Sequence, residues 1–443
     1  MSNFLSIVCS LVFSYGLFAQ PPSYTLQEAI DYAVEKNDQI KLKQLEIQDA
    51  DAQILEYWAT GIPTLDGSVN YQHFINIPVS LIPAEFFGGP PGTFQEIQFG
   101  TKNNLQGSLE LNALIFDGSF FVGLKAQQLY KDLRQKELKQ TSTEVEYNVT
   151  KAFMNVLVAN KNLEILENNI ENLQENLNEV RASYQEGFVE KLDVDRLELS
   201  LQQLKTQLQS VEGNAWVAKN LLKFQMGFPI NDSMQLEGDL ETAFQADLIK
   251  KVNTDAKINV EKRPEHDVAL QGLELNNVNI RRQKATYLPT VRGFASHSES
   301  LQRNDLFNEN EAGWLPSTIV GATLSLRLFD GFNRKAKIQR AKISREKTLQ
   351  QINQLEESIR MEVMNARIQY NNAQRQLNDA KRNLDLSEEI YETTQTKFDE
   401  GVGSSIEVKQ AEADFYSAQS TYINALYDLL NAYTELQKAN GTL

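Results

Sequence analysis

The chain has 443 residues, of which 41% are hydrophobic, enough for the cores of two or three ordinary domains. Its formal charge of -16 argues against a nucleic-acid partner, because phosphate binding needs a concentrated Lys/Arg surface and no basic block stands out. Residues 1–19 read as a secretory signal peptide: an apolar run from Phe4 to Phe18 leads to the small-residue end Leu17-Phe18-Ala19, although no Lys or Arg precedes it. Cys9 lies inside that leader, and Val8 is not the small residue of a lipoprotein site. The mature chain is therefore expected to carry no thiol, disulfide or lipid anchor. No later stretch of about 18 apolar residues is available for a transmembrane helix, which leaves a periplasmic, secreted or strand-inserted protein.

The first periodic segment runs from Leu65 to Ile77, where Leu65, Gly67, Val69, Tyr71, Ile75 and Ile77 alternate with polar residues. The glycine-rich Gly88-Gly89-Pro90-Pro91-Gly92 lacks the Lys-Ser/Thr of a phosphate loop and reads as an exposed loop between strands. Leu105 to Ile115 alternates in the same way. A helical limb from Phe121 to Glu186 follows without proline, roughly 100 Å at helical rise. Within it Val149, Val156, Leu163, Ile170, Leu177 and Tyr184 recur every seven residues, beside a second series from Leu138 through Val145 and Ala152 to Val180. That sustained heptad predicts coiled-coil packing. Gly187 can end the limb in a left-handed conformation, and a return limb carries Leu197, Leu201, Leu204 and Leu208.

The whole pattern then repeats. Residues 228–262 lose the heptad and contain Pro229 and Gly238, forming a linker segment. Beyond it Val291–His297 is a weaker alternating segment, Val320 to Leu328 a clearer one, and Asn333 to Glu400 a second limb. Phe116-Asp117-Gly118 recurs as Phe329-Asp330-Gly331, and Glu186-Gly187 as Glu400-Gly401. Val363, Tyr370, Leu377, Leu384, Tyr391 and Phe398 keep the heptad phase of the first copy. The domain organisation expected is a strand-pair/helical-hairpin unit at 20–227, the linker at 228–262 and a second such unit at 263–443.

Dyad alternation over about ten residues is what membrane barrels show, apolar face to lipid and polar face to a wet lumen, and a soluble sheet with one buried face gives the same pattern. Four strands cannot close a barrel, so a barrel would be shared between chains. Chemistry is sparse. His73, His266 and His297 show no paired spacing and read as surface or strand residues, and no metal site, cofactor or nucleophile–base constellation is expected. The concentrated polar feature lies at the hairpin tips, with Glu186, Glu190, Asp193, Asp195 and Glu198 in one and Asp399, Glu400, Glu407, Glu412 and Asp414 in the other. Such acids either complement helix N-termini or, in a closed ring of copies, form a charged constriction.

The tip motifs, Tyr184-x-x-Gly187 followed by Asp193 and Phe398-x-x-Gly401 followed by Glu407, with Arg263-Pro264-Glu265 and Tyr287-Leu288-Pro289, resemble the TolC-type outer-membrane efflux family over essentially the whole mature chain. The resemblance implies an α+β membrane protein, a trimeric twelve-stranded β-barrel with four strands per chain, continuous with a long α-helical coiled-coil barrel. It implies a homotrimer in outer-membrane lipid. It also implies a periplasmic adaptor (membrane fusion) protein and an inner-membrane pump of RND, ABC or MFS type as partners. Carried over by motif, Asp193 and Glu407 are tip acids and Tyr184 the tip aromatic. Glu190, Gly187 and Gly401 complete the turns. Phe398 lacks a hydroxyl for a gate bond, Gln410 stands where many members have a second acid, and Gly403 where a basic residue is common. The function implied is passive export rather than enzymatic turnover. A periplasmic coiled-coil adaptor or structural protein is the alternative, although it should carry one hairpin and not two collinear units.

Overall fold

In the computed structural model, residues 22–240, 257–308, 310 and 312–443 are described. The leader with Cys9, and residues 241–256 of the linker, lie outside them. The chain divides into two compact units, each drawing on both halves of the sequence. No helix among the described residues is long and apolar enough to cross a membrane.

One unit comprises Leu45–Lys136 and Asp267–Gln354. Its centre is an antiparallel sheet of β2 (Thr64–His73), β5 (Asn103–Asp117), β7 (Thr290–Arg303) and β8 (Leu315–Ser325), in the order β2-β5-β7-β8, with β2 and β8 as its edges. The strand pairs of the two repeats are thus joined through β5 and β7. Period-two alternation sorts the side chains by face. Leu65, Leu111, Ala295 and Val320 stand in one row, and Ser68, Ser108, Ser298 and Ser317 in a row on the other face. Ser68 and Ser108 share a hydrogen bond between their Oγ atoms at 2.8 Å. The apolar face is open: Val69 is 79% and Val320 78% exposed.

Two details depart from the sequence expectation. β7 is 14 residues long although its alternation is weak, because His297 and Glu299 occupy the apolar register opposite Leu109 and Gly107. On the polar face, the Phe294 ring covers Gly321, where a Cβ would lie 2.6 Å from Phe294 Cζ. The long connection after β2 is itself structured, with β3 (Val79–Pro83) pairing β4 (Phe94–Gln98), so the glycine-rich stretch closes a small hairpin of its own.

The two repeats join strand to helix differently. Asp117 caps α3 (Gly118–Gln185) directly, accepting from the Ser119 amide at 2.7 Å and the Phe120 amide at 3.3 Å. In the second copy the strand stops at Ser325, and α6 (Asn333–Asp399) begins only after Phe332 takes a left-handed φ of 68°.

Helices also precede the strands, which the strand-first expectation omitted. α1 (Leu26–Lys36) and α2 (Asp38–Ala59) lead into β2, and α5 (Pro264–Ala285) into β7. Local chemistry supports both starts: Thr25 and Glu28 form a capping box, and Pro264 occupies the first turn of α5, where its missing N–H costs nothing.

The other unit comprises the N-terminal segment to Gln44, Glu137–His266 and Leu355–Leu443. Here α3 returns as α4 (Lys191–Met226) and α6 as α7 (Ser405–Asn440). The heptad positions are the core: Val145, Val149, Val156, Leu173 and Leu177 on α3 and Ile359, Val363, Tyr370 and Leu377 on α6 are all buried. Most of them cluster with Leu222, Met226, Leu426 and Leu436 from the returning limbs, while Leu173 and Leu177 form a second cluster with Val194 and Leu201. Each fully buried aliphatic side chain stabilises by about 1.5–3 kcal/mol, and the alanines Ala152, Ala366 and Ala373 let helices approach closely. A two-residue parallel pairing of β1 (Ser23–Tyr24) with β6 (Gln235–Leu236) ties the linker to the chain's start.

His266 corrects the expectation of a surface or strand residue. It lies in the first turn of α5, buried, with Nε2 3.4 Å from Glu356 Oε1. His73 and His297 are strand residues.

Candidate functional site

The hairpin tips are built from the backbone outward. At the first, α3 ends at Gln185 and Gly187 turns the chain with φ of 83°. Its amide donates to Tyr184 O at 3.0 Å and that of Phe188 to Ser183 O at 2.9 Å, closing the helix by reversed hydrogen bonds. Glu190 then caps α4 without a side-chain hydrogen bond. Asp193 sits in the first turn of α4, 3.6 Å from Arg196. Across the hairpin Arg181 pairs with Glu198 at 2.5 Å.

The second tip repeats the turn with Gly401 at φ of 76°, its amide donating to Phe398 O at 2.9 Å. Here the returning helix has a capping box: the Ser404 side chain accepts from the helix while the Ser404 amide donates to Glu407 Oε2 at 3.4 Å. Gly403 has a geometric cause as well. A Cβ there would lie 2.8 Å from Phe398 N and 3.0 Å from Lys397 C, so this turn excludes the basic side chain the resemblance led one to look for.

The predicted residues are only partly brought together. Phe398 packs onto the apolar cluster of the first hairpin, which contains Leu173, Leu177, Val180 and Val194. Phe398 and Asp193 line one small cavity of about 20 Å³, together with Arg196, Lys409 and Glu412. That is room for about one water molecule. Tyr184, Glu190, Glu407 and Gln410 do not line it. Tyr184 is exposed, and Gln410 Nε2 donates to Asp414 Oδ1 at 3.0 Å. The two tip acids therefore differ in kind, Glu407 serving a helix start and Asp193 facing the contact between hairpins.

Glu412 is distinguished only by the structure. It is 5% exposed, and its Oε1 accepts from the Tyr416 hydroxyl at 2.9 Å. Burial pushes its carboxyl above the ordinary range, against the Tyr416 hydrogen bond and the Lys409 charge, which lower it. Burial and the neighbouring carboxylate likewise push the Tyr416 hydroxyl up. In sequence Glu412 is one acid among several, and its place beside the buried Val408 and Ala411 on one helix face is the signal that it turns inward. Among the described residues, no group of three or more His, Cys, Asp or Glu is placed to hold a metal ion.

Tandem helical hairpins, each following a strand pair of an open antiparallel sheet with an exposed apolar face, define the class of outer-membrane channels that carry long helical hairpins. Solved structures agree in fold. The CusC structures that follow transmembrane channel formation match at 17% identity with a TM-score of 0.71, over 96% of this chain and 95% of that one. The Neisseria gonorrhoeae MtrE outer membrane channel in its open state matches at 18% and 0.71, over 94% and 88%. The Campylobacter jejuni CmeC outer membrane channel matches at 17% and 0.69, over 94% and 85%. No curated protein matches the sequence. The chain belongs to the outer membrane efflux protein family, whose pattern it matches over residues 29–227 and 260–442. That is a family of channels, not of enzymes.

Proposed function

We propose that the chain is one of three copies forming a passive exit duct of the outer membrane, which takes cargo from a periplasmic adaptor and an inner-membrane pump and delivers it outside. The observation that carries this reading is the four-stranded sheet. Among the described residues its two edges, β2 and β8, have unpaired outer sides, while one face exposes Leu65, Val69, Leu109, Val320 and Leu324. An apolar face is a liability in water and suited to lipid, and there the free edges must be paired by closing the sheet. Three copies supply twelve strands, above the smallest closed membrane barrels of about eight.

In that assembly the hairpins extend into the periplasm and the tips are its inner mouth. Asp193, Glu407, Tyr184, Phe398, Gly187, Gly401, Glu190 and Gln410 shape that mouth, and Asp193 restrains it through the cavity it shares with Phe398. Phe188, 83% exposed at the turn, and Val402, 77%, offer the adaptor an apolar foothold. Energy comes from the pump, and the duct is passive.

Single-channel recording tests the reading. The purified protein in a planar bilayer should show low, mostly closed conductance that rises when Asp193 and Glu407 are both replaced by Ala. An unchanged current in the double variant removes these residues from the gate.

A further inference from the structure

The acidic average of the chain conceals one strongly basic stretch. From Arg334 to Lys347, seven of fourteen residues are Lys or Arg and only Glu346 is acidic, contrary to the expectation that no basic block occurs. Helical geometry sorts them. Arg334 and Arg345 are half-buried and engaged, Arg334 Nε donating to Asp330 Oδ2 at 2.9 Å and Arg345 Nε to Asn277 Oδ1 at 2.9 Å. Of the exposed cations, Lys337, Arg340 and Lys347 follow one another on one flank of α6, whereas Lys335 and Lys342 stand on the opposite flank.

The sheet identifies the first flank. Lys337 and Arg327 line a cavity of about 270 Å³ together with Thr290 and Ser325. Thr290 and Ser325 are register partners, and the next pair, Val291 and Leu324, belongs to the apolar face. The cavity therefore lies on the sheet's polar face, the face that also carries Arg292. The acids nearby are already committed. Asp117 accepts from the Ser119 amide and hydroxyl at 2.7 and 2.6 Å, and Asp330 from Arg334.

We infer that the polar face of the sheet ends in a cationic band, Arg292, Arg327, Lys337 and Arg340, which makes the duct favour small anions where strands give way to helices. The inference rests on the duct reading, in which this face lines water. Cations along a wet, low-dielectric-walled path raise the local anion concentration through potentials of several kT. The acidic tips have the opposite sign, so the path would pass from a cation-favouring mouth to an anion-favouring collar.

The test is the permeability ratio of chloride to potassium, measured for the full protein in a planar bilayer under a KCl gradient. The Asp193→Ala/Glu407→Ala background keeps the tip acids from setting the result. Adding Lys337→Glu with Arg340→Glu should lower the ratio by about threefold or more, as a change in local potential of order one kT implies. Lys335→Glu with Lys342→Glu makes the same change in net charge on the other flank and should leave it unaltered. Channels that conduct with an unchanged ratio in the first pair, or an equal fall in both, overturn the band. A parent protein that carries no current overturns the duct reading itself, and the band with it.

Discussion

Arg263 Nη1 donates to Glu362 Oε2 at 3.1 Å and to the Ala439 carbonyl at 3.2 Å, from a side chain that is almost wholly buried. One guanidinium thereby ties the start of α5 to α6 and to the last turn of α7, while Glu265 takes its remaining face at 3.1 Å. The Arg-Pro-acid motif that opens the second copy is thus a clamp on helix ends. Planarity and five donors suit arginine to this place and lysine poorly. Arg263→Ala should cost about 3 kcal/mol in thermal or denaturant unfolding, since the carbonyl and two carboxylates lose their partner. Arg263→Lys should recover less than half, and an Arg263→Ala protein with unchanged stability would show the clamp to be idle.

Glu412 predicts a pH dependence with a definite sign. Its folded pKa is raised above the ordinary 4.5, so the fold favours the protonated form. The contribution is full below the ordinary carboxylate value and is lost as pH rises through the raised folded value. The Tyr416 hydrogen bond and the Lys409 charge oppose the burial and set how far that value is raised, and Asp193 and Arg196 line the same cavity. The protection of amides around 405–416, taken relative to their intrinsic exchange rate at each pH, should fall over that window in the wild type and stay level in Glu412→Gln. Parallel profiles for the two proteins would assign the effect elsewhere.

Gly403 predicts what happens when a basic residue is introduced at this turn. The position for its Cβ is already filled by the backbone at Phe398 and Lys397. Gly403→Arg should therefore displace the turn and lower stability by about 2 kcal/mol, with faster exchange at 397–404. Gly403→Ala should show most of the same loss, because the clash is with the first side-chain atom. A stable arginine variant with a closed channel would mean that the turn yields readily.

How far the sequence could be read followed from period. The heptads of α3 and α6 were legible because burial keeps one face for many turns, and Val149, Val156, Val363 and Tyr370 are the core they pointed to. The tip glycines were legible because only a left-handed turn explains them. Short segments were not. α2 and α5 precede the strands without a long repeat, and β7 carries His297 and Glu299 on its apolar face, which blurs its alternation. Single residues were hardest. Asp193 and Glu407 look alike as tip acids, yet one faces a cavity between hairpins and the other belongs to a capping box. His266 and Glu412 are polar letters whose burial depends on helices distant in sequence. The basic start of α6 was written openly and lost in an average over the whole chain.

In the proposed assembly several copies close one barrel through the free edges of β2 and β8. The mass of the complex extracted from outer membranes in mild detergent tests it most directly. Three copies of the chain, with a cross-linking ladder that ends at three, is the predicted result. A complex of two copies, or a monomer that stays folded and monodisperse in detergent, would contradict it.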